Sequence, residues 1–345
     1  MSEADSDYQV AVVGGGPAGL TSALYTTRLG HDTVLIDRGG GRAAMMQDTH
    51  NVIGITEETS GNELLQTAKQ QIESYGADTV RGLVSDIHGE AGNFRLEVGD
   101  DTYTAERVVL ATGFSDERPD PPLPRTGRGL HYCLHCDAYM FIDESVYVMG
   151  TGESAAHVAM IMLNFTDEVD VLLRGEEPAW SDETDEQLRA HPIDVIEEEI
   201  TGMNRGEDGW LESFEFDDGS VREYRGGFPM FGSDYQAELV DALGLERVDD
   251  GEGPVVVDDD GRTSVEGVFA VGDLTPGHNQ IPVAMGEGAK AGIEVHYDLR
   301  EYPKSLDELD GGNVDPASTP AVSDDLRKAA AERHAATEAP ATDDD

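Results

Sequence analysis

The stretch QVAVVGGGPAGL, residues 9–20, decides the fold of the N-terminal part of the chain. The apolar residues 9–13 lead into three glycines, and a helical pattern of leucines among small residues follows. A second apolar run, residues 33–36, ends at Asp37. Strand, glycine turn, helix and strand in this order make one βαβ unit, which builds a parallel sheet.

The glycines of this stretch have the G-x-G-x-x-G spacing of a dinucleotide-binding loop. The first glycine allows a tight turn, the second lets the backbone approach a pyrophosphate, and the third lets helix and strand pack closely. The helix N-terminus offers free N–H groups to the phosphates, and the acidic residue after the second strand can bind ribose hydroxyls. We predict a bound dinucleotide rather than a ligand-free turn, contacted by Gly14, Gly16, Pro17, Ala18, Gly19, Asp37 and Arg38.

The same module recurs later in the chain. Residues 146–149 form a predicted strand that enters GTGESAA, residues 150–156, and residues 169–173 supply the strand after it. Arg174 could meet the 2′-phosphate of NADPH, but Glu176 and Glu177 follow at once and would repel it. A degenerate module that binds nothing is the alternative. The residues predicted to bind a nucleotide here are Gly150, Gly152, Ser154, Ala155 and Arg174.

The only two cysteines of the chain, Cys133 and Cys136, are three positions apart. A disulfide-stapled secreted fold would use more. Two cysteines at this spacing can close a small ring in which one thiol is a nucleophile, and the adjacent Asp137 could move the proton that thiol exchange requires. Redox chemistry is therefore the preferred hypothesis. Inert thiols are one alternative and zinc is another, but the candidate ligands His131, Cys133, His135 and Cys136 are crowded into one segment, unlike those of most zinc sites, so no metal is predicted.

A last motif follows a predicted strand at residues 268–271. Asp273 at its end can accept a hydrogen bond from a ribityl hydroxyl, and Gln280 and Ile281 open a predicted helix over residues 282–299. A helix N-terminus can stabilise negative charge on a reduced flavin. Together with the first glycine loop, this motif predicts an FAD site.

Five motifs in this order resemble the low-molecular-weight thioredoxin reductase family of two-domain flavoproteins: GGGPAGL at 14–20, ATG at 111–113, YCLHCDAYMF at 132–141, GTGESAA at 150–156 and GVFAVGD at 267–273. The resemblance covers residues 8–299. It implies an α/β fold with two three-layer, Rossmann-like domains, in which the FAD domain is split by an inserted NAD(P)H-type domain that carries the cysteines. The expected boundaries are 1–117 and 232–305 for the FAD domain, 118–231 for the insert, and 306–345 for an acidic, mostly disordered tail.

The resemblance also implies roles for individual residues. Cys136 would face the flavin and accept its electrons, Cys133 would attack the disulfide of a protein substrate, and Asp137 would be the general acid. The adenosine half of FAD and its neighbouring parts would be held by Asp37 and Asn51. The remaining residues predicted to bind FAD, several of them at its flavin end, are Ala111, Thr112, Gly113, Gly272, Asp273, Gln280 and Ile281.

The implied activity is a thioredoxin-disulfide reductase, a homodimer that moves electrons from NAD(P)H through FAD and the cysteine pair to thioredoxin. The sequence departs from the pattern of the family in two places, and both bear on this implied activity. The His-Arg-Arg cluster that binds NADPH in the family is reduced to Arg174, so NADH or ferredoxin become possible donors. The segments at 111–120 and 278–292 are similar to a sister group that includes dithiol oxidases, which is the alternative. A non-enzymatic metal or redox sensor is the third hypothesis.

The charge of the chain is extreme, with 71 Asp and Glu against 23 Lys and Arg and a formal net charge of −48. Such self-repulsion is screened in molar salt, where the Debye length falls to about 3 Å, so we interpret the composition as adaptation to a salt-rich cytoplasm. A steering field for a basic partner is the weaker alternative, because the acidity is spread along the chain. Nucleic acid is excluded as a partner, since phosphate binding needs a basic surface. No apolar run reaches membrane-spanning length and the N-terminus lacks signal-peptide features, so no membrane association is expected.

Overall fold

The computed structural model describes residues 6–248 and 251–338, which form two compact units. Unit 1 contains the described residues up to Ala44, together with Ser60–Phe114 and those from Tyr235 onward. Unit 2 contains Met45–Thr59 and Ser115–Asp234. The sequence places the two main boundaries after residues 117 and 231, and it gives no sign that residues 45–59 join the second unit. This loop has no periodic pattern, so only its tertiary contacts assign it to a unit.

The helices of the described chain are mostly short, and only one exceeds fifteen residues. They are α1 (Pro17–Arg28), α2 (Gly61–Glu73), α3 (Leu134–Asp137), α4 (Glu153–Met162), α5 (Asp182–Arg189), α6 (Glu238–Leu243), α7 (Ile281–Leu299), α8 (Leu306–Leu309) and α9 (Asp324–Glu338). None of these helices combines the length and the hydropathy that a bilayer span requires.

The strands follow the alternating and buried apolar runs of the sequence. They are β1 (Tyr8–Val13), β2 (Thr33–Asp37), β3 (Asp78–Arg81), β4 (Val84–Glu90), β5 (Asn93–Val98), β6 (Asp101–Leu110), β7 (Ser115–Asp116), β8 (Arg125–Thr126), β9 (Gly129–Leu130), β10 (Val146–Met149), β11 (Val169–Leu172), β12 (Ile193–Ile196), β13 (Ile200–Arg205), β14 (Leu211–Phe216), β15 (Val221–Glu223), β16 (Gly226–Pro229), β17 (Ser233–Asp234) and β18 (Val268–Ala270).

The sheet of unit 1 has the order β3-β2-β1-β6-β5-β4, with β18 also paired to β6. Strand β6 runs without a break from Asp101 to Leu110. Its first half pairs antiparallel with β5, while its second half pairs in parallel with β1 and β18. The burial of β6 changes from exposed to fully buried along its length, so its two halves carry different residue patterns. Through this strand the N-terminal βαβ unit joins the C-terminal motif.

Helix α7 packs closely against α1 within unit 1. A Cβ atom on Gly288 would collide with the carbonyl of Ala18, and one on Gly292 would lie 2.7 Å from the Cβ of Tyr25. The glycines of α7 therefore let the two helix backbones approach one another. Because Ala284, Ala291 and Val295 are buried in the same cluster as Val10 and Val12 of β1, this contact fixes the start of α1 against the sheet.

Unit 2 is built on a parallel sheet, in the order β12-β11-β10-β16-β9-β8. A three-stranded antiparallel sheet, β13-β14-β15, accompanies it, and β7 pairs antiparallel with β17 where the chain enters and leaves the unit. Its largest apolar cluster contains Phe141, Trp180 and Phe228. Each unit thus carries a group of parallel strands with the strand–glycine turn–helix module, as the two-domain α/β prediction requires.

The C-terminal segment differs from the expectation of disorder. Helices α8 and α9 lie within residues 306–338. The rest of the predicted tail, residues 339–345, lies outside the described residues. Helix α9 is rich in alanine and in long charged side chains, which are good helix formers, and Asp324 and Asp325 in its first turn favour the helix dipole. Its first residues lie beside Gly76 of unit 1. Polar composition alone therefore misled the prediction.

Candidate redox site and dinucleotide loops

The first glycine loop lies between β1 and α1 in unit 1. Gly14 has a φ of +109°, and a Cβ atom there would collide with the carbonyl of Ala111, while one on Gly19 would collide with the carbonyl of Gly14. Gly16 is different, since its φ is −77° and no atom lies within 4 Å of its Cβ position. No side chain caps the start of α1. The loop therefore leaves open space and free N–H groups where a pyrophosphate would bind.

The carboxylate of Asp37 lies beside this loop at the end of β2. Its Oδ1 accepts a hydrogen bond from the N–H of Gly15 at 3.1 Å, and a carboxylate has further lone pairs for ribose hydroxyls. The neighbouring Arg38 guanidinium contacts the side-chain amide of Gln236 at 2.6–3.1 Å. The structure thus places the predicted loop residues and Asp37 together, in an arrangement that fits the adenosine side of FAD.

The C-terminal motif of unit 1 contains Asp273, which follows β18 in a tight turn. Its carboxylate forms an ion pair with Arg42, with Nη1 and Oδ2 2.9 Å apart, and the Arg42 guanidinium lies 4.4 Å from the centre of the Phe114 ring. Gly113, with a φ of +63°, lies against the Cβ of Asp273. The sequence analysis did not predict a role for Arg42. The only sign of one is that this basic residue follows the three glycines after Asp37 and Arg38.

The start of α7 completes this side of unit 1. Gln280 is the N-cap residue and makes no side-chain cap hydrogen bond, and the helix begins at Ile281. Glu287 accepts a hydrogen bond from the N–H of Gly272 at 2.8 Å, and burial raises the pKa of this carboxyl. Glu287 was not anticipated, because a glutamate inside a helix carries no local signal. The uncapped N-terminus and the polar strand ends fit the flavin side of FAD.

The second glycine loop, between β10 and α4 in unit 2, repeats the first in part. Gly150 has a φ of +145°, and a Cβ atom there would lie 2.7 Å from the carbonyl oxygen of Met230. Gly152 again has no atom within 4 Å of its Cβ position. Ala155 is fully buried at the place of the third glycine, and Ser154 is exposed in the first turn of α4. The backbone of this loop fits a dinucleotide.

The charged side chains around the second loop fit a phosphate poorly. The Arg174 guanidinium donates to the carbonyl of Asp120, and burial lowers the pKa of Arg174. Glu153 is the first residue of α4, and it accepts hydrogen bonds from the Ser181 N–H at 2.6 Å and the Thr184 hydroxyl at 2.7 Å. A carboxylate thus occupies the start of the helix, while the single basic residue of the predicted site is bound elsewhere.

Cys133 and Cys136 form a disulfide that spans the short helix α3 of unit 2, with their Cα atoms 5.3 Å apart. Cys133 is the N-cap residue, and its sulfur accepts a hydrogen bond from the N–H of Cys136 at 3.1 Å. The Asn51 amide lies 3.5 Å from the Cys136 sulfur. The role of Asn51 toward FAD stays a prediction, and the structure places this side chain at the disulfide. Both sulfurs are used by the disulfide, and in the described part of the chain no three His, Cys, Asp or Glu side chains are grouped to hold a metal ion.

Asp137 follows the disulfide directly and is paired with His131. The distance between Oδ2 of Asp137 and Nδ1 of His131 is 2.8 Å. The imidazole is only 4% exposed and lies among the rings of Phe141 and Trp210. The sequence marked His131 as a zinc ligand candidate only, because nothing in its spacing revealed the contact with Asp137. The disulfide, the carboxyl and the imidazole form one cluster that can exchange thiols and move a proton.

Comparison with known proteins decides the family. Residues 8–288 match the sequence model of a protein family that is described as pyridine nucleotide-disulphide oxidoreductase. The chain belongs to this family. As a pyridine nucleotide-disulphide oxidoreductase it is an FAD-dependent enzyme that acts on disulfides and uses a pyridine nucleotide, which confirms the predicted fold class and cofactors.

Several relatives of this pyridine nucleotide-disulphide oxidoreductase are named thioredoxin reductase. A thioredoxin reductase of Peptoclostridium litorale is 31% identical over 85% of this chain and 98% of its own length. The crystal structure of a thioredoxin reductase from Streptococcus pyogenes is 28% identical, covers 86% of this chain and 99% of its own, and superposes with a TM-score of 0.78. A crystal structure named HlmI is 28% identical with a TM-score of 0.77, and covers 96% of this chain and 97% of its own.

Proposed function

We propose that this flavoprotein reduces the disulfide of thioredoxin, or of a similar small dithiol protein, through Cys133 and Cys136. The observation that carries the proposal is the half-buried Cys133–Cys136 disulfide followed directly by Asp137. The thioredoxin reductases among the similar proteins support the same substrate class.

Bound FAD supplies two-electron transfer from a reduced donor to the disulfide. In the proposal Cys136 receives the electrons and Cys133 becomes the thiolate that attacks the substrate disulfide. The hydrogen bond from the Cys136 N–H to the Cys133 sulfur supports this assignment, because such a donor stabilises a thiolate. Asp137 gives its proton to the sulfur that leaves the substrate.

An anaerobic turnover experiment tests this function. The purified flavoprotein is mixed with a reduced pyridine nucleotide and oxidised thioredoxin, and new protein thiols are counted. Thiols should appear in step with oxidation of the nucleotide. The proposal would be contradicted if the nucleotide were oxidised only after air is admitted and thioredoxin stayed unchanged.

We expect no strong preference for NADPH over NADH. The Arg174 guanidinium is bound to the Asp120 carbonyl, and a single exposed charge contact is worth about 0–1 kcal/mol, so the two KM values should agree within about fivefold. Steady-state kinetics with both nucleotides measure this. Arg174→Ala is the matched variant, and it should leave the ratio of the two KM values unchanged. A large NADPH preference that disappears in Arg174→Ala would show that this guanidinium binds the 2′-phosphate.

A flavin dithiol oxidase is the second candidate function. The carboxylate of Glu153 at the start of α4, together with the engaged Arg174, favours it, because a member of this family that worked as an oxidase would no longer need the pyridine nucleotide that the family uses. Oxygen uptake and peroxide formation with small dithiols alone would support this activity. Reduced ferredoxin belongs in the same titration, since it is the remaining donor for a reductase.

We propose that the enzyme is a homodimer joined through unit 1. Tyr25 of α1 and Leu29, its C-cap residue, are 37% and 40% exposed, and Ile293 and Tyr297 of α7 are 37% and 52% exposed. Each pair has helical i, i+4 spacing, and the two helices pack together, so these apolar side chains are available to a second copy of the chain. Sedimentation at twice the monomer mass would support this assembly.

We further propose that the enzyme works in a cytoplasm of high salt, where thiols stay reduced. With a net charge of −48, self-repulsion should destabilise the fold as the Debye length grows from about 3 Å in molar salt to about 10 Å at 0.1 M. The melting temperature should therefore fall when potassium chloride is lowered over this range. A melting temperature indifferent to salt would contradict the adaptation.

A further inference from the structure

The contact between His131 and Asp137 joins two separate elements of unit 2. His131 directly follows β9, and its backbone N–H donates to the carbonyl of Gly227 at 2.9 Å. Asp137 is the last residue of α3. The ring Nδ1 lies 2.8 Å from the carboxylate Oδ2, so a residue anchored to the sheet holds one oxygen of the carboxyl that follows Cys136.

The surroundings of the imidazole determine which proton it carries. Its ring meets Phe141 edge-on with ring centres 5.1 Å apart and stacks on Trp210 at 5.9 Å and 26°. The guanidinium of Arg225 lies over Trp210. Nε2 is buried and has no hydrogen-bond partner among the described residues. A proton on Nε2 would be a buried donor without an acceptor, which is costly, so the arrangement favours the tautomer whose proton is on Nδ1, facing Asp137.

We propose that His131 is a positioning residue for thiol exchange, which rests on the proposed function. Its Nδ1–H holds Oδ2 of Asp137, so that Oδ1 carries the proton and presents it to the sulfur that leaves the substrate. The same N–H then stabilises the carboxylate that remains, because a charge-assisted hydrogen bond is stronger than a neutral one.

The atoms and electrons of the step balance. The Cys133 thiolate forms a bond to one substrate sulfur, the substrate S–S bond breaks, and the leaving sulfur takes the proton of Asp137. Cys136 then displaces the substrate from Cys133 and re-forms the disulfide, and the second leaving sulfur takes the proton that Cys136 loses. Two electrons pass from the cysteine pair to the substrate disulfide, and His131 keeps its proton throughout.

A purely structural role explains the imidazole less well. An apolar ring or an aliphatic side chain would fill the space between Phe141 and Trp210 without burying an unpartnered nitrogen, which costs stability. What a histidine adds at this position is the donor that faces Asp137. The proposal therefore predicts a defect in proton delivery, and a structural role predicts only a defect in stability.

Three variants separate the two roles. His131→Leu removes the donor, His131→Asn keeps an amide N–H near the position of Nδ1, and His131→Gln moves it toward the position of Nε2. Each protein is reduced with excess dithiol, freed of it anaerobically, and mixed with a disulfide in a stopped-flow instrument. One substrate is the dialkyl disulfide of 2-mercaptoethanol, whose basic leaving thiolate needs a proton. The other is dithiobis(nitrobenzoate), whose leaving thiolate is a weak base and needs none.

The variants should differ with the first substrate only. Since general acid catalysis contributes about 10²- to 10⁴-fold, His131→Leu and His131→Gln should react at least about tenfold more slowly with the dialkyl disulfide, and His131→Asn within about threefold of the unchanged protein. Rates with dithiobis(nitrobenzoate) should all agree within about twofold. The assay uses neither thioredoxin nor a pyridine nucleotide, so its outcome is independent of whether the proposed substrate is correct.

A double-variant comparison tests whether His131 acts through Asp137. In the Asp137→Asn background, His131→Leu should slow the dialkyl reaction by less than about twofold, because the residue that it positions is gone. An equal loss in both backgrounds, or equal slowing with both disulfides, would overturn the proposal. If His131→Leu does not fold, the comparison of His131→Asn with His131→Gln, which both carry an amide, takes its place. Equal rates of these two variants with the dialkyl disulfide would overturn the proposal.

Discussion

Cys133→Ser is expected to keep its FAD and the reduction of that FAD by the donor, while losing disulfide turnover by at least about a thousandfold. The loss follows because a serine hydroxyl is not ionised near neutral pH and cannot replace the attacking thiolate. The fold should persist, since Cys133 is the N-cap residue of α3 and serine is a favoured N-cap. Flavin absorbance, anaerobic reduction by the donor and thiol release from thioredoxin measure the three parts of this result.

His135→Ser is the matched control for this variant. His135 lies between the two cysteines in the same helix, but its side chain is exposed, so its replacement should change turnover by less than about twofold. Normal turnover by Cys133→Ser would refute the assignment of this residue as the nucleophile. Equal loss in both variants would instead indicate that the helix itself had been disturbed.

Gly16→Val is expected to give a folded protein whose affinity for FAD falls by about a hundredfold. The backbone at Gly16 has a φ of −77°, and nothing lies within 4 Å of its Cβ position, so the chain itself can accept the larger side chain. The three added carbons would occupy the space of a pyrophosphate, and overpacking of a filled site costs about 1–3 kcal/mol. Titration of the apoprotein with FAD, followed by flavin fluorescence, measures the affinity.

Gly152→Val provides the matched comparison in unit 2. Its backbone and its open Cβ position are equivalent, with a φ of −87°, so it should keep FAD and weaken only the pyridine nucleotide. Loss of FAD from both variants, or from neither, would contradict the division of the two nucleotides between the two loops. A Gly152→Val enzyme with unchanged nucleotide kinetics would favour a donor that does not use this loop.

The elements that could be predicted are those in which the residues needed for tertiary packing also form a recognisable local pattern in the sequence. The first βαβ unit, the second glycine loop and the adjacent cysteines each have a short-range signature, because glycine spacing and buried apolar runs reflect steric requirements within about twenty residues. These features place the two candidate dinucleotide loops and the disulfide. The family match confirms the fold class and the cofactors that they imply.

Other features depend on contacts between distant parts of the chain. Arg42 meets Asp273 across 231 positions, and no local pattern could connect the two. His131 is close to Asp137 in sequence, yet their contact depends on the turn that α3 makes after β9. The loop at residues 45–59 belongs to unit 2 only through its packing. Helix α9 shows the opposite error, in which acidic composition outweighed a helix propensity that was present in the sequence.

Two long-range contacts of unit 1 have a consequence for biosynthesis: the packing of α7 against α1 and the pairing of β18 with β6. The ribosome releases β6 long before β18 and α7, and at about 5–20 residues per second the delay is about 10–40 s. During this interval a strand edge that is fully buried in the finished protein stays open to unwanted pairing with other nascent chains. Residues 115–234 emerge as one block in the meantime. The dinucleotide fold that begins first is therefore the last to close.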